Sequence, residues 1–171
     1  MFSEEIEIAR ISATSTLSSA KKSYNAENLI DETSASWVEG EDGSGLGTKI
    51  IIEFKTQVIL SEFYIKNGCG DFEYFYANNR VKKLSCTFSN KANGIILLED
   101  KPGFQKVQFS KPVKTNRIEL TIEEVYRGEK FDETAIAEIS FKDWSKLDHT
   151  KMNESIFMNG INDLYEIYKK T

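Results

Sequence analysis

The feature that most constrains this chain is a two-residue alternation of apolar and polar side chains, recurring in short runs from Ile6 to Phe141. A strand turns successive side chains to opposite faces, so each run describes a surface with one buried and one wet side. Ile50, Ile52 and Phe54 share one face, against Lys49, Ile51 and Glu53 on the other. Leu84, Cys86 and Phe88 alternate with Ser85 and Thr87, and Ile118, Leu120 and Ile122 with Arg117, Glu119, Thr121 and Glu123. Ile6–Ile11, Val58–Lys66, Gly94–Glu99, Phe104–Phe109 and Ala135–Phe141 bring the total to about eight strands, with no helical periodicity between them. Gly94–Glu99 and Phe104–Phe109 read as a pair joined by Asp100-Lys101-Pro102-Gly103, a good turn sequence. The expected fold is an antiparallel β-sandwich.

Helical spacing appears only near the end, where Phe157, Ile161, Leu164, Tyr165 and Tyr168 fall on one face. The chain therefore divides into a sandwich over 6–144, closing at Trp144, and a linker with a short amphipathic helix over 145–171. That helix either docks on the sandwich or begins a following domain. Within the sandwich, the polar stretch from Ser12 to Thr48 is unusually long for a connection, and such segments carry function or wrap an end of the domain.

Several partner classes are disfavoured. The net charge is −5. Arg80, Lys82 and Lys83, the nearest approach to a basic patch, alternate with Val81 and Leu84 as a strand end does, so no concentrated face exists for nucleic acid. No apolar run approaches the ~20 residues of a membrane span. The start is acidic and carries no secretory leader, which fits either a cytoplasmic protein or a piece of a longer secreted one. Two cysteines build no disulfide framework; Cys86 reads as a buried thiol, and Cys69 lies in a glycine loop. The lone histidine, His149, lies outside the sandwich, so a Ser/His or Cys/His nucleophile lacks a base and zinc lacks ligands. An enzyme is not expected.

What remains is binding. Trp37 could stack on the apolar face of a sugar or plug the base of the sandwich. Glu39, Gly40, Asp42, Gly43, Gly45 and Gly47 form an acidic, glycine-rich turn. Carboxylates that accept paired hydroxyls, and glycines that admit a close backbone, suit a sugar better than a phosphate. Asp71 to Arg80 gathers aromatics, amides and a guanidinium in one loop, with Tyr76 and Arg80 the leading candidates, beside Asn67 and Asn79. Tyr24, in the long first loop, is a further candidate.

Three stretches resemble the discoidin family, the coagulation factor V/VIII type C or galactose-binding-like domains. The first is Asn28-Leu29-Ile30-Asp31 leading to Trp37-Val38-Glu39-Gly40 and Gly43 to Gly47. The second is Lys66-Asn67-Gly68 followed by Asn78 to Leu84. The third is Val125 to Lys130 followed by Asp132 to Phe141. The subgroup most similar is the glycan-binding domain attached to bacterial NAD glycohydrolases; nothing here resembles their catalytic part. The resemblance implies an eight-stranded jelly roll whose loops at one end bind ligand, in an extracellular or surface protein of bacteria. It implies a non-catalytic carbohydrate-binding module, with a protein-interaction or structural module as the alternative. It also places Asp31 and Glu138 at positions that hold calcium in some members, although the Asp31-to-Trp37 interval is one residue short. Asp31 capping its own turn is the other reading.

Overall fold

The computed structural model describes residues 5–142; the expected C-terminal helix, Trp144 and His149 lie outside them. Seven strands run antiparallel: β1 (Ile8–Ala13), β2 (Trp37–Val38), β3 (Lys49–Asn67), β4 (Arg80–Phe88), β5 (Asn93–Leu97), β6 (Phe104–Tyr126) and β7 (Ala135–Ser140). Two short 3₁₀ turns, Ala26–Ile30 and Phe72–Tyr74, are the helical elements among the described residues.

The sandwich is made by two long strands that each serve both layers. β3 pairs with β6 through Lys49–Glu53 against Arg117–Thr121, loses register, and resumes with Val58–Lys66 against Phe104–Thr115. The break falls on Lys55-Thr56-Gln57, a polar triplet that interrupts the apolar alternation where the strand turns the corner. The first half of β3 lies between β1 and the second half of β6, which continues to β4 and β5. The second half of β3 lies between β7 and the first half of β6, with β2 beyond β7. The eight expected strands are thus seven continuous ones, or nine straight pieces when both bends are counted. The expected jelly-roll sandwich is the fold.

The inward faces are those the alternation selects. Ile50, Ile52, Leu84, Ile118, Leu120 and Ile122 from one layer meet Leu60, Phe63, Ile65, Val107 and Ile139 from the other. Phe63 packs on Phe109 and Phe141, and these two reach across to Phe88 and Phe54 at 5.2 and 5.1 Å between ring centres. One expected pairing is corrected. β5 pairs with β4, not with the start of β6, through a hairpin in which Lys91 adopts φ +67°. Asp100 to Gly103 therefore crosses between layers instead of closing a hairpin, and Asp100 is held there by Arg80.

Because β3 and β6 fold over on themselves, their four ends lie at one pole. The connections leaving that pole are the long polar ones: 14–36, 39–48, 68–79, 98–103 and 127–134.

Candidate functional site

Loops without secondary structure leave backbone N–H and C=O groups that must find partners elsewhere. At this rim, buried polar side chains supply them. Arg80 is the central knot. Its Nε and Nη2 donate to both Asp100 oxygens at 2.8 and 2.7 Å, while Nη1 donates to the carbonyls of Asn78 and Arg127 at 3.0 and 3.1 Å. Phe75 and Tyr76 cover the guanidinium at 5.6 and 5.2 Å. One side chain thus ties three loops together.

Asn79 does similar work. Its amide nitrogen donates to the Asp132 carbonyl at 2.6 Å, and its oxygen accepts from the Gly128 amide at 2.6 Å. Asn67 bridges β3 to β4, accepting from the amides of Gly68 and Val81 and donating to the Val81 carbonyl. Glu39 accepts from the amides of Thr134 at 3.1 Å and Glu41 at 2.8 Å, and burial pushes its carboxyl above the ordinary glutamate value. The chain passes over that carboxylate at Gly45, φ +72°, where any Cβ would lie 2.4 Å from it. Only glycine fits there. Trp37 is wholly buried, its indole N–H donating to the Ser15 carbonyl at 3.1 Å.

So five residues singled out for ligand, Trp37, Glu39, Asn67, Asn79 and Arg80, are all buried. They hold the rim's shape and offer no face to a ligand. Tyr76 is half-buried, edge-on to Phe75. Tyr24 is half-buried too, in a separate hollow of about 420 Å³ formed by residues 17–25.

An open feature of the rim is a cleft of about 570 Å³ between the glycine-rich turn 41–48 and the 127–132 loop, lined also by Thr14. Glu41, Asp42, Ser44 and Thr48 line one side, and Arg127 and Asp132, joined as an ion pair, the other. Leu46 is 58 % exposed at its mouth. The turn was legible in the sequence as a sugar-suited segment; Arg127 and Asp132 were not singled out, although both fall in the third family-like stretch.

Asp31 and Glu138 are set apart from this cleft. Asp31 accepts from the Thr33 amide and hydroxyl, capping its own turn. Glu138 is buried on β7, with Oε1 accepting from the Glu32 amide at 3.3 Å and Oε2 lacking a partner. Burial first, then the carboxylates of Asp31 and Glu32, push Glu138 up to about 8, against the opposing charge of Lys66. An orphaned oxygen among acids suits a cation, yet calcium needs six to eight oxygens. Among the described residues no three carboxylate, histidine or cysteine groups converge to hold a metal. Lys66 stands directly across from Glu138 in the sheet, and Glu32 is engaged by Lys142. The carboxylates of Asp31 and Glu138 alone fall short of calcium's six to eight oxygens.

A bent-strand sandwich with its loops braced at one pole is the architecture of discoidin-type, galactose-binding-like domains, and solved structures bear this out. The second family 32 carbohydrate-binding module of a GH31 protein, bound to GalNAc, superposes with TM-score 0.60 at 16% identity, covering 82% of this chain and 99% of that one. The family 32 module of Clostridium perfringens NanJ, in complex with galactose, gives 0.55 at 18% identity, covering 76% and 90%. Two such modules of C. perfringens ZmpB, in complex with GalNAc, give 0.60 at 15% identity over 78% of this chain, which spans about a third of that one (32%). No curated protein matches. Residues 2–142 match the NAD glycohydrolase translocation F5/8 type C domain, and the chain belongs to that family.

Proposed function

We propose that the chain is a non-catalytic carbohydrate-binding module of a bacterial secreted or surface protein, and that the cleft between 41–48 and 127–132 holds the sugar. The observation that carries this is the cleft itself: a polar hollow lined by two of the rim's loops, at the pole where Arg80, Asn79 and Glu39 stiffen the backbone. Pre-formed loops lower the ordering cost that otherwise consumes a few hydroxyl bonds. Arg127, Asp132, Glu41, Asp42 and Ser44 supply donors and acceptors, and Leu46 an apolar patch for a sugar's C–H face. The sugars in the similar structures support the class of ligand.

Affinity for a single sugar should be weak, about millimolar to micromolar. Glycan-array screening followed by NMR titration tests the proposal. Shifts concentrated at Gly43 to Gly47 and Arg127 to Asp132, weakened by Arg127→Ala, are expected. Absence of any saccharide binding at millimolar concentration overturns it.

A further inference from the structure

A sheet edge leaves a row of backbone N–H and C=O groups without partners, and folds protect it with charges, prolines, bulges or short strands. Most edges here are protected in this way. β2 is two residues long, β1 carries Arg10 beside a break in its register with β3, and the outer half of β6 carries Lys106, Lys111 and Pro112. β5 is the exception. It ends the sheet order beyond β4, pairs with β4 in unbroken register, and has neither a charge nor a proline between Ala92 and Leu98.

Its sequence also departs from what an edge with one wet face requires. Ile95-Ile96-Leu97-Leu98 is continuously apolar, the pattern of a strand covered on both faces. Ile96 and Leu98 are buried, while Ile95 and Leu97 stand 59 and 73 % exposed on the outer face. Across β4 they meet Ser85 and Lys83, so the apolar pair lies along the open edge with polar side chains behind it.

Backbone geometry fixes which groups are open. The Phe88 amide donates to the Ala92 carbonyl at 2.9 Å, and the Leu98 amide to the Lys82 carbonyl at 3.0 Å. Consecutive residues of a strand aim their backbone groups to opposite sides, so Ala92, Gly94, Ile96 and Leu98 serve β4 while Asn93, Ile95 and Leu97 face the open edge. Beyond Leu98 the edge is closed, because the Gln105 side chain both donates to and accepts from the Glu99 backbone at 2.8 Å.

The open groups are symmetric about Ile95. A two-fold axis there sets Ile95 against its own copy and Asn93 against Leu97, each a pair that can exchange both backbone bonds. The same axis sets Lys91 against Glu99. Lys91 has no ion-pair partner among the described residues, and Glu99 meets Lys101 at the exposed surface. Edge, parity and charge agree on one occupant.

We propose that β5 pairs antiparallel with β5 of a second copy of this chain, about a two-fold axis at Ile95. Five residues a side is a small contact, so the dimer is weak, with a dissociation constant on the order of 10–300 µM. β5 leads into the 98–103 connection at the loop pole, so antiparallel pairing sends the two loop poles to opposite ends of the dimer. Nothing in this contact depends on the sugar cleft.

Sedimentation velocity of the whole chain from about 5 to about 500 µM tests this, with amide exchange by NMR to locate the contact. A monomer–dimer equilibrium is expected, in which exchange of the Ile95 and Leu97 amides slows with concentration and that of Ile96 changes least. Ile95→Lys sets like charges face to face and should raise the dissociation constant at least about tenfold, with the melting temperature of the dilute protein unchanged. Lys91→Glu and Glu99→Lys should each weaken self-association by about threefold, and an equimolar mixture of the two should recover it. A chain monomeric throughout, a dimer indifferent to Ile95→Lys, or no recovery on mixing overturns the proposal. So does a monomer whose Ile95 and Leu97 amides are already protected at low concentration, which would mean that residues 143–171 cover the edge.

Discussion

Replacing Glu138 by Gln is expected to abolish a pH dependence of stability that the fold imposes. The side chain is 4 % exposed, one carboxyl oxygen has no partner, and Asp31 and Glu32 bring further negative charge. Its carboxyl is pushed up to about 8 from 4.5. Between those values the native protein holds a proton that the unfolded chain has released. Stability on this account is therefore complete below about pH 4.5, falls as pH rises, and is fully lost above about pH 8. At about 1.4 kcal/mol per pH unit the ceiling is about 5 kcal/mol. Water entry and movement of the Glu32 turn should reduce this to about 2–4 kcal/mol, still a large share of a domain's net stability. The assay is urea unfolding at pH 5, 7 and 9 with chelator present, comparing the native chain with Glu138→Gln. Near pH 5 the two should be similarly stable, because a protonated carboxyl and an amide are close in shape and charge. At pH 9 the variant should be the more stable by about 2–4 kcal/mol. Parallel pH profiles, or a variant less stable at pH 9, would refute the idea that β7 buries a carboxyl lacking adequate partners.

Other consequences can be checked on the same protein. Calcium at millimolar concentration should leave the unfolding midpoint unchanged, since Lys66 and Lys142 already offset the carboxylates around Glu138; a rise that disappears in Glu138→Gln would show that an ion is held there. Arg80→Met should cost about 3–5 kcal/mol by denaturant unfolding, because Asp100 and the carbonyls of Asn78 and Arg127 lose a buried partner. A loss below about 1 kcal/mol would mean that the rim is not braced by this residue. Cys86, buried with its thiol pushed up to about 12, should resist a thiol reagent at pH 8 in the native protein and react only after unfolding; rapid native labelling of Cys86 would contradict its place in the core.

Alternation was enough to decide which residues of the sheets point inward, because period two admits one buried face per strand: Ile50, Ile52, Leu84, Ile118 and Leu120 all lie where it put them. The same local rule was blind to continuity. Val58–Lys66 and Ile50–Phe54 read as separate strands, and only the pairing of both with β6 shows one strand bent between two layers. Gly94–Glu99 and Phe104–Phe109 read as a hairpin, but β4 offered the longer partner.

At the rim the sequence by itself determined the chemical character of the loops, including the acidic, glycine-rich turn that forms one wall of the cleft. Tertiary structure alone decided which polar groups were free to meet a ligand. Arg80, Asn79, Asn67 and Glu39 carry the chemistry of a binding residue, and each is consumed by the backbone of a neighbouring loop or strand. A side chain that braces a loop and one that grips a sugar need the same donors and acceptors. Only the packing around them, which sets whether those atoms face another loop or open water, tells them apart.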